Sequence, residues 1–281
     1  MIRSGKARLA GVVGWPVSHS RSPRLHGAWL ERHGLDGAYV PLPVAPADLA
    51  LVLRALPRMG FRGVNLTVPH KEAALSLVDE VEPLAARIGA VNTLVVAEDG
   101  RLLGRNTDAF GFLEHLRRSA PGWSAAAGPA LVLGAGGAAR AVVAALAEAG
   151  LPEIRVANRN PARAEHLAAD LGAQVRPVAW EQRAEAAAGA ALLVNTTTLG
   201  MTGQPPLDMP LDALPPTAVV YDIVYAPLET ALLAAARARG NRVVDGLGML
   251  LWQAVPGFEA WFGVRPTVDE SLRALVLADP A

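Results

Sequence analysis

Leu131-Val132-Leu133-Gly134-Ala135-Gly136-Gly137-Ala138-Ala139-Arg140 is the stretch whose reading decides the fold. An apolar run, Ala130 to Leu133, reads as a buried strand, and Ala138 to Ala149 reads as a helix. Between them lies a G-x-G-x-x-A pattern. Gly134 permits a tight turn, Gly136 lets the backbone approach a pyrophosphate, and Ala139 in the third slot lets helix and strand pack closely. The N–H groups opening such a helix have no intrahelical partner and point at whatever anion sits there. A strand–turn–helix of this kind predicts a dinucleotide cradle that includes Gly134, Ala135, Gly136, Gly137 and Ala138.

The next strand, Ile154 to Ala157, separates the two nicotinamide dinucleotides. An NAD site usually carries an acidic residue about 20 positions beyond the glycines, bonded to the ribose hydroxyls. This chain instead reads Asn158-Arg159-Asn160-Pro161-Ala162-Arg163. No acid is present to repel a 2′-phosphate, and two guanidinium groups stand where they can receive it. Cations at a helix start also oppose the helix dipole, which makes a merely solvated role for them less comfortable. NADP is the expected cofactor.

Working outward, the same rhythm continues. Ala162 to Leu171 is expected as a helix, Ala191 to Val194 and Ala218 to Val224 as strands, Thr230 to Arg239 as a helix and Arg242 to Val244 as a strand. Met249 to Trp261 and Val268 to Val276 are expected as closing helices. Upstream lies a Gly-, Ala- and Pro-rich stretch from Ala120 to Pro129, and a domain boundary is expected just before or within it. Before it, strands are expected at Leu9 to Val13, Ala38 to Val44 and Phe61 to Val68. Val91 to Val96 and Arg101 to Leu103 form a strand pair around the turn Glu98-Asp99-Gly100. Helices are expected from Ser22-Pro23, with Ser22 as cap, from Ala47 to Met59, from Pro69, and from Thr107. Strands alternating with helices predict parallel sheets in an α/β protein.

Composition excludes several function classes. The 281 residues contain 26 Lys+Arg and 26 Asp+Glu, so the formal net charge is zero and no basic stripe suggests nucleic acid or an anionic membrane. There is no Cys, which removes disulfides, thiolate metal sites and a Cys nucleophile, and fits a cytoplasmic location. The apolar run Leu9 to Val13 is too short for a signal peptide or a membrane span. The six His residues show no metal-ligand spacing, and no metal is expected. His26 and His33, a helical heptad apart, read as a surface coincidence.

Three polar clusters fall at element ends in the first half. Ser18-His19-Ser20 lacks a nucleophile elbow, but its two hydroxyls, spaced by one residue, could face an anionic or hydroxylated ligand as readily as cap a helix. Asn65-Leu66-Thr67-Val68-Pro69-His70-Lys71 puts Asn65 and Thr67 on one face of a strand's C-terminal end, where α/β proteins bind ligands. If Lys71 lies in the first turn of a helix, the dipole there disfavours a structural Lys and favours one that exchanges protons. His70 reads as a partly buried structural residue. The third cluster is Asn92-Thr93 with Asn106-Thr107-Asp108. Asp108 could cap its helix, or Thr107 could equally do so and leave Asp108 free to pair with Lys71, and spacing does not decide between these.

Taken together these segments resemble the shikimate dehydrogenases along essentially the whole chain. The resemblance rests on Ser18-x-Ser20, Asn65-x-Thr67-x-Pro69-x-Lys71, Ala90-Val91-Asn92-Thr93, Asn106-Thr107-Asp108 and Gly134-Ala135-Gly136-Gly137. It continues through Asn158-Arg159, Asn195-Thr196-Thr197, Asp222-x-x-Tyr225-x-Pro227 and Asp245-Gly246-Leu247-Gly248-Met249-x-x-x-Gln253. It implies an enzyme of aromatic amino acid biosynthesis that reduces 3-dehydroshikimate to shikimate with NADPH. An open α/β substrate domain, residues 1–105 completed by 245–281, would join a Rossmann-like NADP-binding domain, 106–244, with the active site in the cleft between them. Lys71 and Asp108 are implied as catalytic. Ser18 and Ser20 would hold the substrate carboxylate, helped by Thr67 and Tyr225, while Asn65, Asn92 and Gln253 would meet its hydroxyls. The cofactor set would be Gly134 to Ala138, Asn158, Arg159, Arg163, Thr196, Met201, Ile223, Gly246 and Met249. The expected partner is a small-molecule substrate, and a homodimer is left open. Quinate or NAD preference is the nearest rival, opposed by Ser20 and by the arginine pair. A non-catalytic NADP-binding regulator would not need Lys71 and Asp108, and a folate-type dehydrogenase would not explain the serines.

Overall fold

The computed structural model describes residues 3–278. The chain divides into two compact units: one runs to Thr107 and resumes at Leu251, and the other is Asp108–Leu250. The segment expected to complete the first domain reaches residue 281, and its last three residues lie outside the described ones.

The first unit contains β1 (Arg8–Gly14), α1 (Ser22–Arg32), β2 (Gly37–Pro43), α2 (Leu49–Ala55), β3 (Phe61–Leu66), β4 (Glu80–Val81), α3 (Pro83–Ile88), β5 (Thr93–Val96) and β6 (Leu102–Arg105). Its sheet runs β2-β1-β3-β5-β6-β4. β1 is parallel to both β2 and β3, whereas β3–β5 and β5–β6 pair antiparallel. The side-chain alternation of the strands separates two cores. Val13, Val64, Leu66 and Leu94 pack with Leu49, Leu53 and Leu56 of the α2 region. Tyr39 and Asn65 point the other way, into an aromatic layer that includes Trp29, Phe258 and Trp261. Chain order reverses between β1 and β3, so the loops after these two neighbouring strands flank a switch point.

The second unit contains α4 (Asp108–Ser119), β7 (Ala130–Leu133), α5 (Gly137–Glu148), β8 (Ile154–Asn158), α6 (Pro161–Leu171), β9 (Val175–Ala179), β10 (Leu192–Asn195), β11 (Val219–Asp222), α7 (Ala231–Ala238) and β12 (Arg242–Val244). The start of α8 (Leu247–Phe262) closes this unit, while α8 from Leu251 onward and α9 (Glu270–Leu277) belong to the first. The sheet of the second unit is parallel throughout, in the order β12-β11-β10-β7-β8-β9. That is the doubly wound dinucleotide-binding order, with its switch point between β7 and β10. Every residue of β7 and β10 is buried, which explains their unbroken apolar runs.

Several expectations are corrected. No α-helix starts at Pro69: the Val68–Pro69 peptide is cis, and only a short 3-10 turn, Ala73–Ser76, follows. The Lys71 carbonyl accepts from Val91 N–H at 2.8 Å, a bond that an α-helix would have kept within itself. The helix-dipole argument for Lys71 therefore falls. Ser22 does not cap α1; it is the first helical residue, and its N–H donates to Ser20 Oγ at 3.3 Å. The expected helix from Ala47 to Met59 is a 3-10 turn, Pro46–Asp48, followed by α2. β4, α3 and β9 were not foreseen. His26 is no surface residue but is fully buried, while His33 is exposed. Among the described residues no helix is long and apolar enough to cross a membrane, and no group of three or more His, Cys, Asp or Glu could hold a metal.

Candidate active site

In the second unit, β7 ends at Leu133 and Gly134 turns the chain with φ +107°, a left-handed value that favours glycine. A Cβ there would also meet Thr196 Oγ1 at 2.7 Å. Thr196 is fixed in turn by its N–H and hydroxyl, which both donate to Leu133 O at 2.9 and 2.6 Å. Gly136 and Gly137 are different. Gly136 has ordinary φ, and a Cβ on either residue would meet nothing in the protein within 4 Å. Nothing in the chain itself requires glycine at these two positions, whereas close approach of a ligand to the start of α5 would. Gly136 makes no side-chain cap, so the first-turn N–H groups of α5 are left to such a ligand. The cradle thus fits a pyrophosphate.

Asn158, Arg159 and Arg163 lie where β8 passes into α6. Asn158 Nδ2 donates to Asn160 O at 2.8 Å and shapes the turn, and both arginines are exposed. Farther along the sheet, Asn195 and Asp222 are paired neighbours at the ends of β10 and β11, both fully buried. Asp222 Oδ1 accepts from Asn195 Nδ2 at 2.9 Å and Val224 N–H at 3.0 Å, and Oδ2 accepts from Thr230 Oγ1 at 2.7 Å. Burial pushes the Asp222 carboxyl above its ordinary range, opposed by those three donors. Asn195 Oδ1 accepts from the Thr197 N–H and hydroxyl. The loops carrying Thr196, Met201, Ile223 and Tyr225 are joined by Thr202 N–H to Ala226 O at 2.8 Å. Gly246 packs against the Ile223 carbonyl so closely that a Cβ could not be added, and Met249 is buried in the first turn of α8.

In the first unit, the loops at the switch point carry Ser18 and Ser20 after β1, and Thr67 and Lys71 after β3. Ser18 is exposed, and Ser20, Thr67 and Lys71 are half-buried. Trp15 N–H donates to Val68 O at 3.1 Å and Thr67 N–H to Val13 O at 2.9 Å, binding the two loops together. His70 turns inward instead, its Nε2 donating to Val44 O at 2.8 Å. Asn65, Asn92 and Gln253 are buried, and Asn92 Nδ2 faces Gln253 Oε1 at 3.5 Å. The unit therefore brings together an exposed hydroxyl, an amine and three carboxamides, groups suited to a small polyhydroxylated acid. Of the expected catalytic residues Lys71 belongs to this unit and Asp108 to the other, as does Tyr225.

Several residues at these sites carried no role in the sequence reading: Tyr39, Thr93, Asn195 and Asp222. The last three lie inside the motifs quoted above, which was the one available signal. Tyr39 gave none, because a tyrosine in an apolar strand reads as core.

Comparison with known proteins agrees with this anatomy. Residues 12–94 match the family model described as the shikimate dehydrogenase substrate binding domain, 118–199 that of shikimate / quinate 5-dehydrogenase, and 246–275 that of the shikimate 5′-dehydrogenase C-terminal domain. The chain is 70% identical over 275 residues to a protein of Paramagnetospirillum magneticum named shikimate dehydrogenase (NADP(+)), spanning 98% of this chain and 100% of that one. A protein of the same name from Rhodospirillum rubrum is 63% identical over 99% of each chain. Among solved structures, shikimate 5-dehydrogenase from Thermus thermophilus in complex with NADP(H) and shikimate superposes with TM-score 0.84 at 46% identity, covering 96% of this chain and 98% of that one. Quinate dehydrogenase from Corynebacterium glutamicum in complex with NAD superposes with TM-score 0.90 at 34% identity, covering 96% and 99%.

Proposed function

The chain belongs to the shikimate dehydrogenase family, and from that premise we propose that it is an NADP-dependent oxidoreductase that reduces 3-dehydroshikimate to shikimate, reversibly. The full-length identity of 70% to a protein named for this activity and cofactor carries the reading. The end of β8 supports the cofactor, since Asn158 and Arg159 stand where an NAD site would place an acid.

Bound NADPH supplies the hydride from nicotinamide C4. The chain's own residues do the rest. Ser18 and Ser20 hold the substrate carboxylate with Thr67 and Tyr225. Asn65, Asn92 and Gln253 bind hydroxyls and so fix which ring carbon meets the cofactor. Lys71 Nζ delivers a proton to the carbonyl oxygen as it becomes a hydroxyl, and Asp108 orients Lys71 and bonds the substrate. Arg159 and Arg163 clasp the 2′-phosphate, and Gly134 to Ala138 receive the pyrophosphate.

The test follows absorbance of the reduced nicotinamide with shikimate or quinate and with NADP or NAD, beside the Lys71→Ala variant. Turnover confined to shikimate and NADP is expected, with kcat falling about 10²- to 10⁴-fold in the variant while NADP still binds. Preference for quinate or NAD would overturn the substrate or cofactor assignment. NADP binding without turnover on either acid would favour a regulatory protein.

A further inference from the structure

Beneath the carboxamides of the first unit runs a buried hydrogen-bond relay that none of the implied site residues explains. Tyr39 Oη lies 2.6 Å from Asn65 Oδ1. A carboxamide oxygen only accepts, so the phenol is the donor. With Oδ1 held by Tyr39, Asn65 turns Nδ2 toward Asn92 O at 3.2 Å and Thr93 Oγ1 at 3.1 Å. The Thr93 hydroxyl lies 3.0 Å from both Asn92 Oδ1 and the Thr107 hydroxyl. Asn92 Oδ1 also accepts from the Thr107 N–H at 2.8 Å and faces the Thr107 hydroxyl at 3.2 Å. Nδ2 of Asn92 is thereby turned the other way, toward Gln253.

At the two amides the polarity is definite. Turning over either asparagine amide would set donor against donor and acceptor against acceptor in a buried place, which is where unpaired polar atoms cost most. The ring of Tyr39 is fixed as firmly as its hydroxyl. It stacks on His26 with centroids 4.0 Å apart and planes at 7°, and Trp261 closes in at 6.0 Å. Tyr39 lies on β2 and Asn65 on β3, on either side of β1, so the contact reaches across a whole strand. An apolar phenylalanine would satisfy the packing equally well; the hydroxyl is present for Asn65.

We propose that Tyr39 is a positioning residue that steadies the amide of Asn65, and through Thr93 supports that of Asn92, for the hydroxyl groups of the substrate. This rests on the substrate reading above. Without the phenol hydroxyl Asn65 Oδ1 is left buried without that donor, and only the Asn92 carbonyl and the Thr93 hydroxyl still hold the amide, so it is fixed less firmly and substrate must order it at a cost in binding.

Tyr39→Phe tests this. It keeps the ring, the stack and the volume and removes one oxygen. Expected are a KM for shikimate raised about tenfold, a smaller change in kcat and a KM for NADP within about twofold of the parent. Thr93→Val should act in the same direction. Asn65→Ala should abolish the effect, so that adding Tyr39→Phe to it changes the KM for shikimate no further. An unchanged KM for shikimate in Tyr39→Phe, or a defect that multiplies on that of Asn65→Ala, would overturn the inference while leaving the enzyme's function standing. Failure of the parent protein to turn over shikimate would remove the functional reading and this inference with it.

Discussion

His26 offers a measurement in which a single buried ring sets the acid stability of the first unit. It lies in α1, fully buried, stacked on Tyr39 at 4.0 Å and enclosed by Trp29, Phe258 and Trp261 at 5.6, 5.8 and 5.7 Å. Neither ring nitrogen has a hydrogen-bond partner among the described residues. Burial without a counter-charge pushes its pKa from 6.5 down to about 3. The unfolded chain therefore takes up a proton near pH 6.5 that the folded one refuses until about pH 3. A folded pKa below the unfolded one contributes stability that is complete above the unfolded value and is lost as pH falls. The window is 3.5 pH units, the difference between 6.5 and 3, and each unit is worth about 1.4 kcal/mol. His26 alone then costs roughly 5 kcal/mol across the window, and roughly 3 kcal/mol by pH 4.5. The perturbation is His26→Phe, which keeps an aromatic stack and removes both nitrogens. The assay is urea unfolding of parent and variant at half-unit steps from pH 7.5 to 4.5. Plotted against pH, the stability of the parent relative to the variant should fall with a slope near 1.4 kcal/mol per unit below about pH 6. Curves that descend in parallel would refute the reasoning, because they would mean that His26 takes up its proton equally in both states.

Other perturbations follow from the same geometry. Arg159→Ala should raise the KM for NADP about 10- to 100-fold, the worth of a charge-assisted phosphate contact, and leave any residual NAD activity unchanged; steady-state kinetics with both cofactors would show it. Gly248→Ala should destabilise the protein by roughly 3 kcal/mol, because the added carbon would be built into the ring of His115, which is held by Tyr221 Oη at 2.8 Å. A thermal melt would register that loss, and an unchanged melting temperature would mean that the His115 ring can move aside.

What the sequence determined by itself is local and periodic. The glycine turn between Leu133 and Ala138, the strand run before it and the arginines after β8 are contiguous along the chain, and their chemistry is set by backbone geometry and charge at fixed spacing. The central strands of the parallel second sheet were legible because strands buried on both faces write themselves as unbroken apolar runs, whereas the largely exposed edge strand β9 was not. Lys71 shows where that kind of reading stops. Its neighbours suggested a helix start, but the inward turn of His70 and the Val91 bond to the Lys71 carbonyl hold the segment as a turn. His26 and Tyr39 lie beyond it altogether. A histidine on a helix and a tyrosine on a strand acquire meaning only when α1, β2, β3 and α8 converge, since desolvation and hydrogen-bond polarity are properties of what surrounds a side chain and not of its neighbours in the chain. The relay from Tyr39 through Asn65 and Thr93 to Asn92 joins residues up to 54 positions apart, with β1 lying between two of its strands; only the tertiary structure could decide it.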